Sequence, residues 1–201
     1  NLRLNTPKLF CLGGLFNFIF GGITGVMLAT VPIDIHVGNT YFVVAHFHYV
    51  LIGGALFGLY AGFYFWIPKI SGKMLNEKLG KLVFTLMFIG FNLTFFPMHY
   101  LGMIGQPRRT HSYNEGHGFE TWNQIATIGA FILGVGIVLG IYQFVTAAFN
   151  KKLKPAGKNP WDARTLEWTL SEVSAGSLTS RENFKQYYGF PDMDMTLTLS
   201  Q

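Results

Sequence analysis

The chain has 201 residues, half of them hydrophobic and only 12% charged, with 20 Phe, 24 Gly and a positive mean hydropathy. Soluble domains carry roughly a quarter charged residues, so this composition excludes an ordinary water-soluble globule and points to a membrane protein. The net charge of +5 raises nucleic acid as a partner, and the single cysteine, Cys11, excludes an intrachain disulfide and a cysteine metal cluster.

Uncharged runs of about 20 residues mark spanning helices, and four occur. Leu9 to Ala29 is the first. It is too long for a signal peptide and lacks a cleavage site. Its Gly13-Gly14 and Gly21-Gly22 pairs, and the spacing Gly21-x-x-x-Gly25, allow close helix contact. Cys11 reads as a small buried hydrophobe here, and Pro32 as the end of the span. Because the chain begins at Asn1, a fragment or one piece of a split protein is expected.

The second run, Tyr41 to Ile67, is uncharged apart from His46 and His48, and passes Gly53-Gly54 to an aromatic anchor, Trp66, and a stop at Pro68. A turn with Ser71-Gly72 leads to the third, Leu82 to Leu101, which holds Asn92 and ends near Pro97-Met98-His99. The polar connection Gly105-Gln106-Pro107-Arg108-Arg109 then returns to Trp122 and the fourth, Ile125 to Phe149, with Gly129, Gly134, Gly136 and Gly140. After Asn150 the composition turns to Lys, Pro, Ser, Glu and Asp. The expectation is an all-α membrane protein with a four-helix segment, residues 1–150, and a polar tail, residues 151–201.

Charge assigns the sides. Arg3 and Lys8, then Lys69, Lys73, Lys78 and Lys81 against Glu77, then Lys151, Lys152, Lys154 and Lys158 all fall on one side. The positive-inside rule makes that side cytoplasmic, or the matrix in a mitochondrion. Asp34, His36, Arg108, Arg109, Glu115 and Glu120 fall on the other. Topology thus explains the basic excess, and nucleic acid is not expected as a partner.

The stretch Val43-Val44-Ala45-His46-Phe47-His48-Tyr49-Val50-Leu51 carries the chemistry. A helix turns about 100° per residue, so His46 and His48 point about 200° apart. One ion cannot take both, since that needs i and i+3 or i+4; each requires its own partner. Core histidines bonded to neighbouring helices are one reading. Ligands are the other, because ionisable groups at bilayer depth are functional by default and a neutral imidazole is a usual axial ligand for haem iron. Two haems gripped from opposite flanks would have only Phe47 and backbone between them. Arg108 and Arg109 run against the topology rule, which suits an anionic partner such as haem propionates as well as a solvated basic pair. Asp34 and His36 share their side, as propionate neighbours or ordinary loop residues.

The run Asn39-Thr40-Tyr41-Phe42-Val43-Val44-Ala45-His46-Phe47-His48-Tyr49-Val50-Leu51 resembles the signature helix of haem-copper oxidase subunit I. So do Asn92-Leu93-Thr94-Phe95-Phe96-Pro97-Met98-His99-Tyr100-Leu101-Gly102, the loop Gly105-Gln106-Pro107-Arg108-Arg109, and, for bacterial oxidases, Asn159-Pro160-Trp161-Asp162-Ala163-Arg164-Thr165-Leu166-Glu167-Trp168. The resemblance covers residues 6–170 in order and implies the last four of that subunit's twelve helices. It implies two haems of the haem a type, with His46 as proximal ligand of the high-spin haem where oxygen is reduced. His48 is then an axial ligand of the low-spin haem, with Phe47 between. Arg108 and Arg109 hold propionates, Asp34 lies near one, and Tyr41 contacts a haem substituent. Electrons from cytochrome c or quinol would reach oxygen with proton pumping, in a bacterial or archaeal cytoplasmic membrane or the mitochondrial inner membrane, with the tail inside.

Two departures stand out. Gly38-Asn39 replaces the family's His-Asp pair for magnesium, and an amide with a glycine is poor at holding a hard cation; magnesium is absent or weakly bound, or His36 compensates, the first being expected. The copper-binding histidines belong to earlier helices, and His99, His111 and His117 have the wrong context to replace them. The implied partners are a chain carrying those helices, oxidase subunits II and III, the electron donor and lipid. A nitric oxide reductase of the same superfamily, a scaffold without haems and a dihaem cytochrome b are the competing readings.

Overall fold

The computed structural model describes residues 4–113, 115–150, 153–157, 159–163, 165 and 168, and every regular element among them is helical. In chain order these are α1 (Thr6–Ala29), α2 (Val31–Val37), α3 (Tyr41–His48), a π-helical segment (Tyr49–Leu56), α4 (Phe57–Ser71), α5 (Glu77–Met103) and α6 (Glu120–Phe149). The segment from α3 to α4 is one continuous rod, Tyr41–Ser71, and with α1, α5 and α6 it makes four helices long and apolar enough to cross a membrane. The chain is an all-α, multi-pass membrane protein.

Three expectations about the ends need correction. Pro32 does not simply terminate the first span: α1 stops at Ala29, and Pro32 sits in the first turn of α2, where a missing N–H costs nothing. Pro68 and Pro97 lie inside α4 and α5 and do not stop them. Packed neighbours in a bundle re-satisfy the backbone that a proline frees. The real stop after α4 is Gly72, whose φ of 67° is a left-handed cap that glycine adopts without strain. Cys11 was expected buried and is exposed, on a flank of α1 that no described helix covers.

Lipid removes most of the hydrophobic drive between helices, so close backbone approach holds the bundle together. At the crossing of α1 with the long rod, glycines sit on both sides. A Cβ on Gly53 would lie 2.7 Å from the Asn17 Cβ, one on Gly54 2.8 Å from a Phe18 ring carbon, and one on Gly21 3.0 Å from the Tyr49 Cβ. The π turn falls at this contact. Polar groups add a second tie: the Tyr49 hydroxyl donates to Asn92 Oδ1 at 2.7 Å, and the Asn92 amide donates to Phe88 O at 2.9 Å and Asn17 Oδ1 at 3.4 Å. This partly buried chain joins the rod, α5 and α1.

Between α5 and α6 the fit is tighter. Gly90 faces the Leu133 backbone, and a Cβ on Gly129 would lie 2.5 Å from the Thr94 nitrogen. Backbone cannot swing aside, so Gly129→Ala is expected to push the two helices apart. Overpacking costs about 1–3 kcal/mol, read as a lower thermal midpoint of the detergent-solubilised complex. Gly134→Ala, on the same helix with nothing within 4 Å of its Cβ position, is the control and should leave the midpoint unchanged.

One end of the bundle gathers the α4–α5 turn, the start of α1 and the chain after α6. Thr6 N–H donates to Glu77 Oε1 at 2.6 Å, Lys73 Nζ to Ala147 O at 3.1 Å, and Met74 N–H to Lys154 O at 2.8 Å. Trp161 Nε1 donates to Phe65 O at 2.9 Å, and Trp168 is buried against the Phe65 ring. Residues 169–201 of the expected tail lie outside the described residues.

Candidate functional site

At the opposite end, the connection after α5 is sewn to the start of the histidine helix. Tyr41 N–H donates to Gln106 O at 3.0 Å and Arg108 N–H to Asn39 O at 3.0 Å, which makes the bridge Thr40↔Pro107. Gln106 is buried and paired with Asn123, whose Nδ2 donates to Gln106 Oε1 at 3.0 Å. The Thr40 hydroxyl caps α3 by accepting from Phe42 N–H at 3.2 Å. The arginine loop and the helix carrying His46 and His48 are therefore one framework.

The two histidines face different helices, as their spacing requires. His46 turns to α1, where its Nδ1 lies 2.9 Å from Gly21 O and 3.3 Å from Thr24 Oγ1. The His46 ring rests on Gly25, where a Cβ would come within 2.7 Å of Cε1. The spacing Gly21-x-x-x-Gly25 is thus a socket for an imidazole as well as a helix contact. His48 turns to α5: its ring stacks on Phe95 with centroids 4.2 Å apart and planes at 15°. Its Nδ1 lies 2.7 Å from Val44 O, one turn back on its own helix.

Both contacts have the same chemical meaning. A carbonyl only accepts, so in the neutral ring each Nδ1 carries the proton and each Nε2 keeps its lone pair. Among the described residues no hydrogen bond reaches either Nε2. A histidine oriented through Nδ1–H to a carbonyl, with Nε2 free, is the form in which imidazole ligates a metal. Phe47 between them is exposed, its ring centroid 4.4 Å from that of His48.

The other expected residues divide. Arg108 Nη2 donates to Asn39 Oδ1 at 3.1 Å, and Arg109 takes a left-handed backbone with φ of 62°. Tyr41 is half-buried at the head of α3. Asp34 is exposed on α2, and among the described residues no hydrogen bond or ion pair joins it to either arginine. Asn39 Oδ1 accepts from the Arg108 guanidinium and Gly38 offers no side chain, so neither position presents a carboxylate to a divalent cation. His99 is buried, with the rings of Phe20 and Phe42 edge-on to it at 5.5 and 5.0 Å, and among the described residues neither of its ring nitrogens has a hydrogen-bond partner. Among the described residues no three His, Cys, Asp or Glu side chains converge on a possible metal position.

Sequence reasoning missed Thr24, Gly25 as a support for a ring, and the Gln106–Asn123 pair. The spacing of Gly21 and Gly25 was a signal for the first two; nothing local marked the third.

Residues 1–132 match the family described as Cytochrome C and Quinol oxidase polypeptide I. The chain is 52% identical over 170 residues to cytochrome c oxidase subunit 1 of Thermostichus vulcanus, covering 85% of this chain and 30% of that protein. It is 46% identical over 187 residues to cytochrome c oxidase subunit 1 of Bacillus subtilis (strain 168), covering 92% and 29%, and 44% identical over 173 residues to quinol oxidase subunit 1 of that organism, covering 86% and 26%. It spans about three-tenths of the length of the first two relatives. Its fold is similar to a chain of a heme-copper terminal oxidase dimer, with a TM-score of 0.64, 25% identity, and coverage of 76% of this chain and 29% of that one. By the family match and identities near one half across most of its length, this chain belongs to the cytochrome c and quinol oxidase polypeptide I family.

Proposed function

We propose that this chain is the haem-gripping part of the catalytic subunit of a respiratory oxidase that passes electrons from cytochrome c or quinol to oxygen with proton pumping. The observation that carries this is the pair of imidazoles on opposite flanks of one helix, each with Nδ1 tied to a carbonyl and Nε2 open. His48 would be one of two ligands to the iron of a low-spin haem, and His46 would hold the iron of a high-spin haem. When bound, the haems, of the haem a type, supply single-electron transfer and an iron that meets oxygen.

The residues of this chain orient and insulate. Phe95 holds the His48 plane, the α1 socket holds His46, and Phe47 lies between the two ligands. Arg108 and Arg109 offer guanidinium groups to propionates, and Tyr41 and Asp34 line the same end of the bundle. Copper belongs to helices supplied by the rest of the subunit, and subunits II and III complete the enzyme. The assembly sits in a bacterial or archaeal cytoplasmic membrane or the mitochondrial inner membrane, with the residues after α6 on the cytoplasmic or matrix side.

The test is a reduced-minus-oxidised spectrum of the purified complex, with and without carbon monoxide. One low-spin haem and one high-spin haem that binds carbon monoxide are expected. A complex with no haem would overturn the proposal in favour of a scaffold.

A further inference from the structure

The face of α1 that receives His46 is built from a single turn. Gly21 lends its carbonyl and Gly25 its bare Cα, and between them lies Thr24, only 5% exposed. The Thr24 hydroxyl donates to Gly21 O at 2.9 Å and lies 3.3 Å from His46 Nδ1. A helical threonine commonly bonds back to a carbonyl of the preceding turn and needs nothing more. Here the geometry goes further. With its proton committed to Gly21, the hydroxyl oxygen can only accept from a second partner, and the group beside it is the Nδ1–H of His46.

We infer that Thr24 is a positioning residue for His46: its oxygen is the second acceptor for the Nδ1 proton, fixing the ring plane and raising electron donation at Nε2. The inference rests on His46 ligating iron, as proposed above. An imidazole whose Nδ1–H is shared between two acceptors has more imidazolate character and binds metal more strongly through its other nitrogen. Thr24 also donates to the carbonyl that His46 uses, but a carbonyl has two lone pairs, so the two donors need not compete. Loss of the hydroxyl therefore acts mainly by removing an acceptor.

The experiment uses the complete oxidase complex, parent and variant, and reads the iron-histidine stretching band of the ferrous high-spin haem by resonance Raman. Thr24→Val keeps the shape and deletes the oxygen; the band is expected at lower frequency than in the parent, with the low-spin haem unchanged. Thr24→Ala, which cannot crowd the ring, should shift it in the same direction, and Thr24→Ser should restore the parent frequency. Transfer of high-spin haem to apomyoglobin should speed up about tenfold in the Val and Ala variants, the scale of second-shell effects on metal affinity. A parent band present but unmoved in both variants, or moved equally in Thr24→Ser, overturns the role of Thr24 and leaves the ligand assignment standing. A parent band that survives His46→Ala overturns the ligand assignment itself, and this inference with it.

Discussion

His48→Ala is expected to remove the low-spin haem spectrum from the assembled complex while the carbon monoxide-binding haem remains. The two histidines are separable because they rest on different helices. His48 lies against Phe95 of α5 and takes its orientation from Val44 O, whereas His46 lies against Gly21 and Thr24 of α1. Deleting one ring leaves every contact of the other intact. Changes one shell out from a metal cost roughly 10–100-fold in affinity, and loss of the ligand itself costs more, so near-complete loss of the signal is the expected size. His46→Ala should give the reciprocal result, with carbon monoxide binding lost and the low-spin spectrum kept. A normal low-spin spectrum in the His48 variant would refute the assignment, and loss of both haems from either variant would mean the sites are not independent.

The second large effect comes from a methyl group. Gly25→Ala would place a Cβ 2.7 Å from His46 Cε1, inside any tolerable contact. A side-chain tip can usually retreat cheaply. This one cannot, because its Nδ1 is held by Gly21 O and Thr24 Oγ1 on the same helix. The ring must break those bonds or tilt its Nε2 away. Carbon monoxide binding per complex is expected to fall on the order of tenfold, with the low-spin haem retained. Gly22→Ala provides the comparison, since nothing lies within 4 Å of its Cβ position, and it should bind carbon monoxide normally. Full binding in Gly25→Ala would show that His46 does not depend on this socket.

Both predictions use features that the chain shows in very different degrees. The opposite aim of His46 and His48 was legible at once, because the turn of a helix is a local property. The spans were legible for a related reason: lipid offers backbone no hydrogen bonds, so a long uncharged run has to be helical. Their ends were less so. Proline reads as a stop when neighbours are ignored, yet Pro68 and Pro97 sit within helices that run on to Ser71 and Met103. Cys11 misled in the same way, since a small apolar residue in a span does not announce which flank it occupies.

Composition and periodicity by themselves determined that this is a helical membrane protein and that its paired histidines cannot share an ion. Each conclusion follows from energies acting along a single helix. The tertiary structure alone decided that Gly25 and Thr24 form a socket for His46, that Phe95 supports His48, and that Gln106 and Arg108 join Tyr41 and Asn39. Those pairings connect residues far apart in the chain. Their partners are chosen by which helix lies alongside, and that depends on glycine contacts summed over the whole bundle.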